Sequence, residues 1–218
     1  MCFSAAASFA TAAATVIVGF AALHRAGAWR AWPLAAMPLI FAVQQALEGT
    51  LWLSLAGTSD GLLSGRLVAA FLFFATVLWP IYAPLSVWLI EADERRRRFM
   101  LAAVALGAGV STHMAWALLT HPTTAVLHDN HIAYHPIYTP SLALGLAYLA
   151  ATGAPLALSS YRAVALLGAV VLVGSAVAFL FYWESFVSVW CFFAAAASVV
   201  ILGHFERARR LRANPARA

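Results

Sequence analysis

Leu67-Val-Ala-Ala-Phe-Leu-Phe-Phe-Ala-Thr-Val-Leu-Trp-Pro-Ile-Tyr-Ala-Pro-Leu-Ser-Val-Trp-Leu-Ile90, followed by Glu91-Ala-Asp-Glu-Arg95-Arg-Arg-Arg98, is the stretch that decides how this chain folds. No charge interrupts the apolar run. A helix needs about 20 such residues to cross a hydrocarbon layer roughly 30 Å thick. The run therefore predicts a membrane-spanning helix, and the four arginines mark the face at which it ends.

Working outward, six further segments meet the same criterion: Ser4–Leu23, Trp32–Leu55, Phe99–Leu119, Pro140–Leu158, Ala163–Trp183 and Phe186–Gly203. Composition agrees. The chain is 64% hydrophobic and 10% charged, whereas a soluble domain carries roughly 25% charged residues. The expected fold is all-α: a polytopic bundle of seven transmembrane helices over residues 1–206, with a short basic tail at 207–218. No linker, low-complexity stretch or repeat divides it.

The arginines orient the bundle. Arg25, Arg30, Arg95–Arg98, Arg162, Arg207, Arg209, Arg210, Arg212 and Arg217 fall on one face, and Arg66 alone on the other. The positive-inside rule makes the rich face cytoplasmic. The N-terminus is then outside, the C-terminus inside, and the expected location is the cell membrane. The first helix does not read as a cleavable signal peptide, because its basic residues follow the apolar run. Ala5, Ala6, Ala7, Ser8 and Ala12–Ala14 suit close helix contact. Trp79-Pro80 and Pro84 predict a kink, either for packing or to expose a carbonyl to a cavity.

All thirteen basic residues are arginine. The lack of lysine excludes retinal-type and other Schiff-base chemistry. Cys2 and Cys191 are too few for a disulfide scaffold, although a single disulfide or a thiolate ligand stays open. The pI near 9.8 comes from loop and tail arginines, so nucleic acid is not expected as a partner. No phosphate-binding glycine loop, nucleophile elbow or nucleotide motif is present.

Reactive side chains gather toward the outer face. Five of the seven histidines lie between His113 and His135. Glu48 sits about nine residues below the outer end of its helix, roughly 13 Å deep, and His113 about six residues, roughly 9 Å. An ionisable group in the apolar core costs on the order of 3 kcal/mol and therefore faces the bundle interior. Gln44, Gln45 and Trp52 share a helix face with Glu48. His131 and His135 stand four apart, as paired zinc ligands do on a helix, but Pro136 favours a non-helical approach. The candidate metal ligands are His113, His128, His131 and His135, with zinc or, less readily, copper as the ion. Glu48 and Glu184 are the candidate catalytic carboxylates. A bundle haem would need histidines on two facing helices, and only His113 lies at membrane depth. His24 and His204 read as ordinary interfacial residues. Most tryptophans and tyrosines fit an aromatic belt.

Met1-Cys2-Phe3-Ser4-Ala5, Gln44-Gln45 with Glu48-Gly49 and Trp52, Trp79-Pro80, His131-Ile132 with Tyr134, and Ser188–Ala195 together resemble a family of bacterial multi-pass membrane proteins. The resemblance spans nearly the whole chain. It implies a fold and a recurring polar set, but no activity. Members often show adjacent histidines where this chain has His128-Asp129-Asn130-His131. A looser likeness, of architecture only, is to seven-helix zinc amidohydrolases of the alkaline ceramidase type.

Three functions compete at this point. The first is a metal-dependent hydrolase acting on a lipid or amphiphile, with a zinc-bound water of pKa about 7. The second is a non-catalytic metal-binding or sensing protein. The third is a small-solute or proton-coupled transporter using Glu48 and Gln44.

Overall fold

The quoted run forms one helical rod in three parts. These are α3 (Gly61–Leu72), a π-helical turn (Phe73–Leu78) and α4 (Trp79–Ile90). The computed structural model describes residues 4–57, 61–128, 131–136, 138, 141–181, 190, 193–195 and 197–213. The remaining long helices are α1 (Ala5–Ala26), α2 (Trp32–Ala56), α5 (Glu94–Thr120), α6 (Leu142–Ala157), α7 (Arg162–Phe181) and α8 (Val199–Ala213).

The molecule is mostly helical. Among the described residues, four helical rods are long and apolar enough to cross a membrane: Ala5–Ala26, Trp29–Ala56, Gly61–Ile90 and Glu94–Thr120. Helices α6 and α7 are apolar but shorter. Ile17, Phe20, Leu53, Leu101 and Val173 are exposed, a surface that a water-soluble monomer would rarely present.

The π-turn has an identifiable cause and a cost that neighbouring helices meet. Pro80 lacks an N–H, and its ring crowds the preceding turn. The displaced carbonyls are taken by side chains: Ser111 Oγ of α5 donates to Val77 O at 2.6 Å, and Tyr148 Oη of α6 donates to Ala75 O at 2.6 Å. Thr76 Oγ1 takes Leu72 O. The prolines thus serve packing, and these two freed carbonyls do not open onto a cavity.

Small residues let backbones approach. The buried face of α1 is Ser8, Ala12, Thr15, Gly19, Ala22 and Ala26. It lies antiparallel on α2, with Gly19 against Leu39 and Phe9 against Gly49. Gly27 ends α1 at a positive φ of 72°, which glycine adopts without strain. Asp93 caps α5, its carboxylate accepting from Arg96 N–H at 2.8 Å.

Two expectations change here. First, the chain is not wholly α-helical. Between α5 and α6 lies an antiparallel hairpin, β1 (Thr123–His128) and β2 (His131–Pro136), paired from Thr123 with Pro136 to His128 with His131. Its inner face is apolar. Ile132 is fully buried, and Tyr134 stacks on Phe71 at 5.4 Å. The hairpin therefore covers the ends of α2 and α3 away from the arginines. Second, the basic tail expected from 207 is still helix up to Ala213. Glu206 explains this. It accepts from Arg209 and Arg210 within α8 and from Arg25 of α1 at 2.8 Å. Arg210, Arg25 and Arg209, in that order, hold its carboxyl down at about 2.

A Cβ at Gly107 would lie 1.8 Å from the backbone oxygen of Pro80, whereas one at Gly109 would meet nothing within 4 Å. Overpacking of this kind costs about 1–3 kcal/mol or more. Gly107→Ala should therefore lower the melting temperature of the detergent-solubilised protein by several degrees, and Gly109→Ala should leave it unchanged. Equal melting of the two variants would show that α4 and α5 do not pack this way.

Candidate functional site

Helix α2 carries a polar stripe through the apolar interior. Gln44, Gln45 and Glu48 are all fully buried, and the 3.6-residue repeat sets them on one side of the helix. Gln44 Oε1 accepts from the indole Nε1 of Trp79 at 2.8 Å, and Trp79 stacks on Phe41 at 4.1 Å. Gln45 Nε2 donates to Glu48 Oε2 at 3.2 Å. Glu48 therefore points into protein, as the insertion cost required.

Polar atoms near the level of Glu48 lack a partner among the described residues. Ser8 Oγ, Gln45 Oε1 and Trp52 Nε1 are buried and have no hydrogen-bond partner among the described residues. Trp52 follows Glu48 by one turn. Ser8 is brought to the same level by the contact of Phe9 with Gly49. Two donors and one acceptor, in addition to the carboxylate, thus lie near one level of the α1–α2 pair. Buried polar atoms are nearly always paired in native proteins, so this grouping is chemically unusual.

A cavity of about 30 Å³ lies among Phe41, Trp79, Leu156, Val171 and Trp190. Its walls are mostly apolar, and it is large enough for one water at most.

The histidines do not join Glu48 in one cluster. His113 is half-buried, and its Nε2 shares a hydrogen bond of 2.8 Å with Tyr138 Oη. Trp116 packs onto both rings at 5.6 and 6.1 Å, and His121 packs onto Tyr138 at 5.6 Å and Trp116 at 5.2 Å. Tyr138 and His121 were not singled out from the sequence. A tyrosine three residues beyond His135 carries no spacing signal, and the pairing exists only because the hairpin returns the chain over α5.

His131 and His135 lie in a strand, which overturns the helical zinc-pair reading. Four strand residues span about 13 Å, against about 6 Å for one helical turn. The two imidazoles share a face but are too far apart to share an ion at a zinc–nitrogen distance near 2 Å. His128 instead stands directly across from His131, with ring centroids 6.0 Å apart. Among the described residues no three His, Cys, Asp or Glu side chains form a group able to hold a metal ion. Glu184, Cys2 and Cys191 lie outside the described residues.

The Gln44–Trp79 bond should be measurable on its own. Gln44→Leu leaves the indole N–H without its acceptor, at a cost of about 1–2 kcal/mol. Trp79→Phe should cost a similar amount. In a double-mutant cycle, read by unfolding in mixed micelles, the combined variant should lose less than the two single losses added together. Strict additivity would mean that this bond contributes nothing.

No curated protein and no solved structure matches the chain. A family model described as a family of unknown function, DUF6629, matches residues 1–218. The match covers the whole chain, and the chain belongs to that family.

Proposed function

We propose that this chain is a seven-span protein of the cell membrane that binds a small polar solute or cation in the outer half of its bundle. Its amino terminus would be outside and its basic end in the cytoplasm, as the arginine asymmetry supports. The observation that carries the reading is the fully buried Glu48, with Ser8 Oγ, Gln45 Oε1 and Trp52 Nε1 near its level buried and unpaired among the described residues. Glu48 and Gln45 Oε1 offer negative charge and an acceptor, which suits an ammonium or an inorganic cation. Ser8 Oγ and Trp52 Nε1 offer donors, which suit a carboxylate or hydroxyl on the same ligand. Such a site serves a binding protein or a carrier, and Glu48 can hold a proton when no cation is present.

The test is ligand-induced stabilisation of the purified full chain. The probes are sodium, potassium, ammonium, glycine and betaine. A ligand at a hundredfold excess over its Kd stabilises by about 2.7 kcal/mol. At least one probe should raise the melting temperature by several degrees, and Glu48→Gln should lose that rise while melting normally without ligand. If no probe shifts the melting temperature, or if Glu48→Gln responds like the parent, the reading is wrong.

A second reading is a zinc or copper centre acting as a hydrolase on a lipid or amphiphile. One observation favours it: the facing His128 and His131 rings at the hairpin tip. This reading needs a third ligand besides His128 and His131; His135 is too far along the strand to join His131, which leaves His113, with Glu48 or Glu184 as the base. Prepared without chelators, such a protein carries about one equivalent of zinc or copper, and His131→Ala removes it. Less than about a tenth of an equivalent in the parent protein eliminates the centre.

A further inference from the structure

The basic end of the bundle is not inert. A cleft of about 770 Å³ opens there, where five parts of the chain meet: the end of α1, the end of α4, the start of α5, the α6–α7 link and α8. Its wall includes Arg30, Arg97, Arg162 and Arg207. Arg30 lies over the ring of Trp29 and Arg97 over the ring of Trp88, at 5.6 and 5.0 Å. None of the four has a carboxylate partner among the described residues. Other arginines at this end are engaged: Arg25, Arg209 and Arg210 on Glu206, Arg98 on Glu94, and Arg96 on Leu158 O.

One carboxylate lines the cleft, and it does not neutralise these arginines. Glu91 is buried. Its oxygens accept from the Ser159 hydroxyl, from both N–H and hydroxyl of Ser160, and from Asp93 N–H. Burial works against its charge, but the bonds from Ser160, Asp93 and Ser159 outweigh it and hold the carboxyl below its ordinary value. Glu91 acts as a positioning residue. It fastens the α6–α7 link to the end of α4, and so fixes Arg162 on the cleft wall. Tyr161, donating to Ile90 O and packed against the His204 ring at 5.1 Å, fixes the same link from its other side.

We infer that this cleft binds a phosphate-bearing anion, either the headgroup of an anionic phospholipid or a free phosphate ester. Four guanidiniums without counter-charges around one opening give a strongly positive site. The planar fork of arginine matches phosphate oxygens two at a time, and the volume falls within the range of small-ligand sites. Arginines that only set topology need no common cavity and no buried carboxylate fixing their geometry. Basic pockets between helices at this level of a membrane are suited to phosphate headgroups. The inference is independent of the site at Glu48.

The experiment measures binding to the full chain in a neutral detergent by thermophoresis. The probes are dihexanoyl phosphatidylglycerol, dihexanoyl phosphatidylcholine and glycerol 3-phosphate. Phosphatidylglycerol should bind saturably. The pair Arg97→Gln, Arg162→Gln should weaken it about tenfold or more. The control pair Arg95→Gln, Arg98→Gln removes the same charge from the same end and should change it less than about threefold. Arg207→Gln, on an exposed helix face, serves as a milder variant and should weaken binding severalfold. Competition by glycerol 3-phosphate assigns the site to free phosphate esters as well, and its failure to compete assigns it to the lipid headgroup. Both outcomes support the inference. Equal losses in the two pairs, equally tight phosphatidylcholine, or no saturable binding would overturn it.

Discussion

A polar group inside this bundle has no bulk water to turn to, and that constraint organises much of the molecule. Pro80 forces the third rod out of regular α-geometry over Phe73–Leu78. The carbonyls of Ala75 and Val77 then need new donors, which α6 and α5 supply as Tyr148 and Ser111. These bonds tie three rods together at one level. Gly107 lets α5 come close enough for the Ser111 bond to form, since any Cβ there would strike Pro80 O. Kink, glycine and hydroxyl form one device, each part useful only with the other two.

The same constraint makes the α2 stripe informative. Gln44 is satisfied by Trp79 and is structural. Near Glu48, the Gln45 Oε1, Ser8 Oγ and Trp52 Nε1 atoms are buried without a hydrogen-bond partner among the described residues. The contrast with the kink, where each of the freed carbonyls of Ala75 and Val77 finds a donor, is what makes these atoms the basis of the proposed site. The basic end follows a similar logic on a larger scale. Glu206 is engaged by arginines and Glu91 by serines and Asp93 N–H, while four arginines around a cleft have no carboxylate partner among the described residues.

The histidine block shows where reading by spacing goes astray. His131 and His135 are four apart, and that number means adjacency only at a helical period. The alternation Ile132, Tyr134 against His131, Ala133, His135 is a strand pattern, as is Thr123 to Leu127 with its β-branched residues. The intervening Asp129-Asn130 is of turn-forming type. The hairpin was therefore legible in the sequence, but Pro136 suggested only the lack of a helix. His204, set aside as interfacial, proves to wall the basic cleft. No local pattern announces this, because the cleft is assembled from five separated parts of the chain.

Residue order alone determined the apolar rods, their approximate ends, the arginine asymmetry and the inward aim of Glu48. Each of these follows from local composition and from the cost of placing charge in hydrocarbon, quantities that need no knowledge of neighbours. Tertiary packing alone decided which carbonyls Ser111 and Tyr148 would satisfy, that His113 would meet Tyr138 rather than the other histidines, and that arginines from four distant stretches would share one opening. Those outcomes depend on which rods touch and at what height. Distance in space between residues far apart in the chain is set by the joint packing of all the helices, and no single segment carries it.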